Sequence, residues 1–121
     1  MSTREKTVVV DGARTPIGSY GGAFKDVPGF ELGALASREA MIRAGVAPEE
    51  VDEVVMGCIG QVGADAYNAR RVALAAGIPT STPAYTVNRL CGSGLQAVWS
   101  AAMQMHWGGV DIALALSLIH I

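Results

Sequence analysis

Strand-like and helix-like segments alternate along the whole of this 121-residue sequence, an order that predicts an α/β fold with a mostly parallel sheet covered by helices. Two further observations agree. The strand candidates are short β-branched runs without polar alternation, as expected of strands buried on both faces. Half of the residues are hydrophobic and there are 15 glycines besides. So apolar a chain buries its elements on both sides or is covered by something further.

The elements follow in order. Thr7-Val-Val-Val-Asp11 reads as a first buried strand. Gly12 to Asp26, with Pro16 and the Gly21-Gly22 pair, reads as a loop. A helix is predicted from after Pro28 to Ala44, with Leu32, Leu35, Ala36 and Ile42 on one side and Gly45 as a left-handed cap. Ala47-Pro48-Glu49-Glu50 suits a short helical turn. Glu53 to Met56 is the second strand, leading into a loop with Gly57, Gly60 and Gly63. A second helix covers about Asn68 to Ala76 and stops at Gly77. Tyr85 to Val87 is the third strand, running into Asn88-Arg89-Leu90-Cys91-Gly92-Ser93-Gly94. The third helix places Leu95, Val98, Ala102 and Met105 at three- and four-residue spacing and ends at Gly108-Gly109. A fourth strand begins over Asp111 to Ala115. Beyond it the apolar run to Ile121 has no turn, cap or charged stop, and is longer than a usual strand.

Nine basic residues against eleven acidic ones give a net charge of -2, with no basic stripe for nucleic acid. Met1 to Lys6 is polar and the apolar run after it is too short for a signal peptide, so a cytoplasmic location is expected. Ile112 to Ile121 is too short to span a bilayer, so no membrane association is expected. Cys58 and Cys91 form no CxxC pair and suit a reducing compartment. His106 and His120 lack partners at zinc spacing, and no metal site is expected. Gly57, Gly60 and Gly63 do not make a dinucleotide fingerprint, and there is no P-loop.

Cys91 is the candidate for chemistry. It lies where a strand gives way to a helix, so N–H groups of the first helical turn point towards its sulfur, a setting that lowers thiol pKa and favours the reacting thiolate. In open α/β sheets ligands bind at the carboxyl ends of strands, which is where Cys91 falls. Gly92, Ser93 and Gly94 admit two readings on pattern alone. Small residues let a carbonyl carbon approach and leave main-chain N–H groups free as oxyanion donors, or they only permit close helix–sheet packing. Cys58 reads as a buried, inert thiol. Asp11 with Arg14, and Arg70 with Arg71, read as structural or surface charges, and Trp99 and Trp107 as packing for the third helix.

Several segments resemble the opening of the thiolases: Asp11-Gly-Ala-Arg-Thr-Pro-Ile-Gly18, Val55-Met-Gly57 with Gln61, Asn68-Ala-Arg70 and Ala76-Gly-Ile-Pro79. The most specific is Asn88-Arg-Leu-Cys-Gly-Ser-Gly-Leu-Gln-Ala97. The resemblance covers about Lys6 to Ala115. It implies a thiolase-like layered fold of which this chain is an incomplete N-terminal half, in a protein that forms homodimers or homotetramers. It also implies that Cys91 takes an acyl group from an acyl-CoA, with CoA thioesters as substrates and no metal or redox cofactor. The acyl group then condenses with the carbanion of acetyl-CoA, or is passed to CoA when a 3-ketoacyl-CoA is cleaved.

The departures bear on activity. The histidine that activates the nucleophile in thiolases, and the second cysteine that moves the proton on the α-carbon, belong to a C-terminal half with no counterpart in this sequence. His106 and His120 are outside the family's histidine motif, and no CoA-binding residue is assigned. The family turns through a Gly-Gly segment after Asp111-Ile-Ala-Leu-Ala115, whereas this chain reads Leu116-Ser-Leu-Ile-His-Ile121. Residues 116–121 therefore read as foreign to a partial domain that is native-like to about 115. The 121-residue chain alone is expected to be nearly inactive. A non-catalytic interaction or lipid-binding module is the alternative reading, and a decarboxylating condensing enzyme fits the motifs less well.

Overall fold

The computed structural model describes residues 6–118. It is an α/β fold: three parallel strands, β1 (Glu53–Cys58), β2 (Ala84–Val87) and β3 (Ala113–Leu118), lie in the order β2-β1-β3. Helices α1 (Gly29–Ala44) and α2 (Asn68–Ala75) cover one face and α3 (Ser93–Trp107) the other. The central strand is completely buried along its length, which is why Val-Val-Met needed no polar alternation. Val54 and Met56 pack towards α1 and α2, while Val55 packs against Ala97 and Ala101 of α3.

The helices form where expected but turn other faces inward. In α1 the buried residues are Gly33, Ala34, Ser37 and Met41, whereas Leu35 and Ile42 are exposed. In α3 they are Ser93, Ala97, Ser100 and Ala101, whereas Leu95 and Val98 are exposed. Both helices approach the sheet or a neighbouring helix through small residues, because close approach rather than side-chain size decides the contact. A β-carbon on Gly33 would stand 2.8 Å from Val72 Cγ2 of α2. The larger apolar side chains are thereby left on the outer surface. Gly45 ends α1 in the left-handed conformation (φ 67°), with its N–H donating to Ile42 O.

The first predicted strand is not in the sheet. Thr7–Asp11 forms no regular element, and Val8, Val9 and Val10 are exposed. The residues are suited to a strand, but a strand needs a partner for its backbone. Instead a groove of ≈ 620 Å³ separates residues 6–13 from Val110–Leu116, with α1 and α3 forming its walls. Among the described residues, Arg43 Nη1 of α1 ties this segment down by donating to Gly12 O at 3.2 Å.

At the other end, β3 extends beyond Ala115. Leu116, Ser117 and Leu118 pair with Met56, Gly57 and Cys58 in the same register as the residues before them. Residues 119–121 lie outside the described residues. The start of β3 is clasped to the start of β1 by Asp52, whose carboxylate accepts N–H bonds from Asp111 (2.9 Å) and Ile112 (3.0 Å).

Two carboxyls at this end of the sheet are shifted in opposite directions. The two backbone N–H bonds hold Asp52 below the ordinary 3.8. Its contribution to stability is present above that value and is lost as pH falls through the folded-state value. Burial holds Glu53 above the ordinary 4.5, and its Oε2 has no hydrogen-bond partner. Stability from this group is fully present below 4.5 and is lost as pH rises through the folded-state value. Neighbouring Tyr85 is pushed up too, by burial first and the Glu53 charge second, against a hydrogen bond with Ser100 that lowers it.

Three outcomes are expected in urea unfolding. Met56→Ala should cost about 2–5 kcal/mol, and Val9→Ala, at an 82% exposed position, less than about 0.5 kcal/mol. Glu53→Gln should raise the urea midpoint at neutral pH, and the gain over the parent chain should vanish in acid below 4.5. An unchanged neutral midpoint would show that the buried carboxylate carries no such penalty.

Candidate active site

The site is built where β1 and β2 end and α3 begins. The first turn of α3 crosses directly over Gly57 of β1. A β-carbon on Gly57 would collide with the carbonyl group of Ser93 and stand 2.7 Å from Gly94 N. One on Gly94 would stand 2.8 Å from Ser117 Cβ of β3. Helix and strand therefore touch backbone to backbone at Gly57, and Gly94 lies against the Ser117 side chain. The packing reading fits Gly94, whereas Gly92 has only ordinary contacts.

Between β2 and α3 the chain makes a tight turn through Asn88–Gly92. Leu90 is in the left-handed region with φ 49°, alone among the described non-glycine residues. That conformation costs a residue with a β-carbon roughly 1–2 kcal/mol and persists only where its surroundings impose it. Here they do. Asn88 Oδ1 accepts the Leu90 N–H (3.0 Å) and Asn88 Nδ2 donates to Ile59 O (3.3 Å). Ser93 Oγ accepts the Arg89 N–H (2.8 Å) and donates its own hydrogen to Leu90 O (2.6 Å). Arg89 Nη1 reaches along α3 to Gln96 Oε1 at 2.8 Å, and Gln96 Nε2 donates to Ser100 Oγ at 3.1 Å.

Cys91 comes next in the chain and is exposed, unlike Cys58, which is fully buried at the end of β1. Cys58 Sγ accepts a long bond from Asn68 Nδ2 at 3.6 Å, and Asn68 Oδ1 is buried without a partner. The two thiols thus stand at the ends of adjacent strands in opposite environments: one accessible beside a helix start, one sealed behind α2. The sequence reading of Cys58 as a buried thiol agrees with its position.

The N–H groups near Cys91 differ from expectation. Gly92 N–H donates to Arg89 O and Ser93 N–H to Leu90 O, both at 3.0 Å. These two amides are spent on the turn, and neither is free to face a developing oxyanion. Asn88 and Ser93 carried no individual role in the sequence reading. An Asn two residues ahead of an amide that it caps is a recognisable turn signal, whereas the backward reach of the serine was visible only in the structure.

His106 is exposed near the end of α3, a helix length away from Cys91. Arg70 is structural, donating to Thr80 O and Thr82 O, and Arg71 pairs with Asp65 and lies over the Phe30 ring. Trp99 and Trp107 do not pack the core and are largely exposed. Among the described residues no group of three or more His, Cys, Asp or Glu could hold a metal ion, and no helix is long and apolar enough to cross a membrane.

The sequence and the fold are both shared with a known class. Residues 7–117 match the family model described as thiolase, N-terminal domain, and the chain belongs to that family. Among individual relatives, it is 46% identical over 113 residues to an acetyl-CoA acetyltransferase of Syntrophomonas wolfei, covering 93% of this chain and 28% of the relative. It is 50% identical over 113 residues to the beta-ketothiolase BktB of Cupriavidus necator, with the same coverage. The acetyl-CoA acetyltransferase of Bacillus anthracis superposes with a TM-score of 0.86 at 44% identity, over 91% of this chain and 28% of that one. Human mitochondrial 3-ketoacyl-CoA thiolase, solved in complex with CoA, gives 0.83 at 42% identity, over 88% and 27%. The chain thus spans little more than a quarter of the length of these relatives.

Gly57→Ala should destabilise the fold by about 1–3 kcal/mol, because backbone rather than a pliable side chain stands in the way. Urea unfolding measures this, and a cost within error of zero would contradict the close approach.

Proposed function

We propose that this chain supplies the acyl-accepting cysteine of a thiolase-type acyltransferase. The observation that carries the reading is the placement of Cys91: exposed, at the carboxyl end of β2, on a turn held in a costly conformation beside the start of α3. Cys58, sealed in the core, has no access to a substrate.

In the proposed reaction the Cys91 thiolate attacks the carbonyl carbon of an acyl-CoA thioester. The tetrahedral intermediate collapses with loss of CoA thiolate, which takes up a proton, and the acyl group remains on Cys91 as a thioester. One thioester replaces another, so the step needs neither oxidant nor external energy. In the synthetic direction the α-carbanion of acetyl-CoA attacks the acetyl-cysteine, a C–C bond forms, and acetoacetyl-CoA leaves as the Cys91 thiolate is released. In the degradative direction Cys91 attacks the keto carbon of a 3-ketoacyl-CoA and the bond to the α-carbon breaks. That carbon leaves in acetyl-CoA once protonated, and CoA thiol then collects the shortened acyl group.

Both directions need a base for the thiol and a group that moves the α-proton. The turn itself offers neither, since its side chains beside Cys91 are those of Asn88, Arg89, Leu90 and Ser93. An unassisted cysteine is only a few per cent thiolate at pH 7, and groups that act as a unit fail together. The chain alone should therefore acylate slowly and not turn over. The full-length enzyme is proposed to be a homodimer or homotetramer, a reading supported by the apolar side chains left on the outer faces of α1 and α3.

Incubating the chain with acetyl-CoA and mapping its peptides by mass tests this. One acetyl group is expected on the peptide containing Cys91, none in Cys91→Ala, and no acetoacetyl-CoA above the buffer control. Acetylation of Cys58 in its place, or a label that survives Cys91→Ala, would overturn the assignment.

A further inference from the structure

We propose that Asn88 and Ser93 are positioning residues for acyl transfer, clamping the backbone of Arg89 and Leu90 so that Cys91 is presented outward. The inference rests on the reading of Cys91 as the acyl acceptor.

Three observations lead to it. The first is that Leu90 occupies a backbone conformation that a leucine does not adopt by preference (φ 49°), so something must hold it there. The second is how the two side chains divide the work. Asn88 takes the Leu90 N–H and ties itself to Ile59 O in the loop after β1. Ser93 takes the Arg89 N–H and gives its hydrogen to Leu90 O. Between them they engage both backbone polar groups of Leu90 and the amide before it.

The third is that Ser93 spends its hydroxyl away from its own helix. The N-cap of α3 is Gly92, which has no side chain, and the hydroxyl of Ser93, one residue further in, bonds Arg89 N–H and Leu90 O and no amide of the helix. The hydroxyl faces back into the turn instead. Ser93 is 3% exposed, and its backbone abuts Gly57, so the clamp is referenced to the central strand. Neither residue makes a hydrogen bond to Cys91 Sγ, hence a positioning role and not a catalytic one. Without the clamp Leu90 relaxes to a negative φ, which re-aims the next residue and withdraws the sulfur from its outward position.

The two cysteines supply the test. The chain and its Ser93→Ala, Asn88→Ala and Ser93→Thr variants are treated with iodoacetamide at neutral pH, and alkylation of each cysteine is followed by peptide mass. Cys91 should alkylate about fivefold or more slowly in both alanine variants. Ser93→Thr, which keeps the hydroxyl, should return to within about twofold of the parent chain. Cys58 should stay unmodified throughout, because general loosening of the fold would expose it. Cys91 rates unchanged in both alanine variants would overturn the proposal. So would Cys58 becoming reactive in step with the change at Cys91, since that marks lost stability and not lost aim. Acetylation of the unsubstituted chain by acetyl-CoA separates the two readings. If Cys91 takes the acetyl group while the alanine variants behave as the parent, only the clamp falls. If Cys91 takes none, its role as acceptor falls and the positioning role goes with it.

Discussion

The structure depends on one close approach, the crossing of the first turn of α3 over Gly57. Side chains normally fill the space between a helix and the sheet it packs on, but here main chain meets main chain. Everything at the site follows from that contact. Ser93 is buried because it lies in the crossing, its hydroxyl has no room to face solvent, and it turns to the two residues ahead of Cys91. Gly94 comes close to β3 as well, against the side chain of Ser117. Cys91 is thereby placed at a height above the sheet set by backbone dimensions and not by the choice of side chain.

The energetics explain why such a connection is stable. The left-handed Leu90 is unfavourable by itself, but it lies between a fully buried strand and a helix whose small residues pack on that strand. Burial of Val54, Val55, Met56, Val72 and the alanines around them stabilises the scaffold, and the turn is carried by it. The same small-residue contacts leave Leu95, Trp99, Met103 and Trp107 exposed on α3. A continuous apolar face of this kind marks a surface for interaction. The ≈ 620 Å³ groove beside β3 is a second apolar surface, where strand-forming residues stand without a strand partner.

Much of this was legible in the residues. The alternation of elements, the cap at Gly45, the helix starting after Cys91 and the likeness of Asn88–Ala97 to thiolases all carried into the structure or the family assignment. The errors in α1 and α3 have one physical source. The periodicity of α1 and α3 assigns the larger apolar residues to the core, whereas, Met41 apart, these helices bury Gly, Ala and Ser. Sequence pattern reports hydrophobicity, and close backbone approach selects for smallness. The same limit hid the work of Ser93, because a hydroxyl that reaches backwards leaves the same letter as one that caps. Thr7–Asp11 failed for another reason: strand propensity shows that a segment suits a sheet but not that an edge is available to it.

The central claim joins a geometry to a chemistry, and a crystal structure of the chain after brief exposure to acetyl-CoA tests both together. The account requires continuous density from Cys91 Sγ to an acetyl group, with Leu90 still at positive φ and Cys58 unmodified behind α2. An unmodified Cys91 with the acetyl group elsewhere, or an acylated Cys91 on a turn relaxed to negative φ, would contradict it.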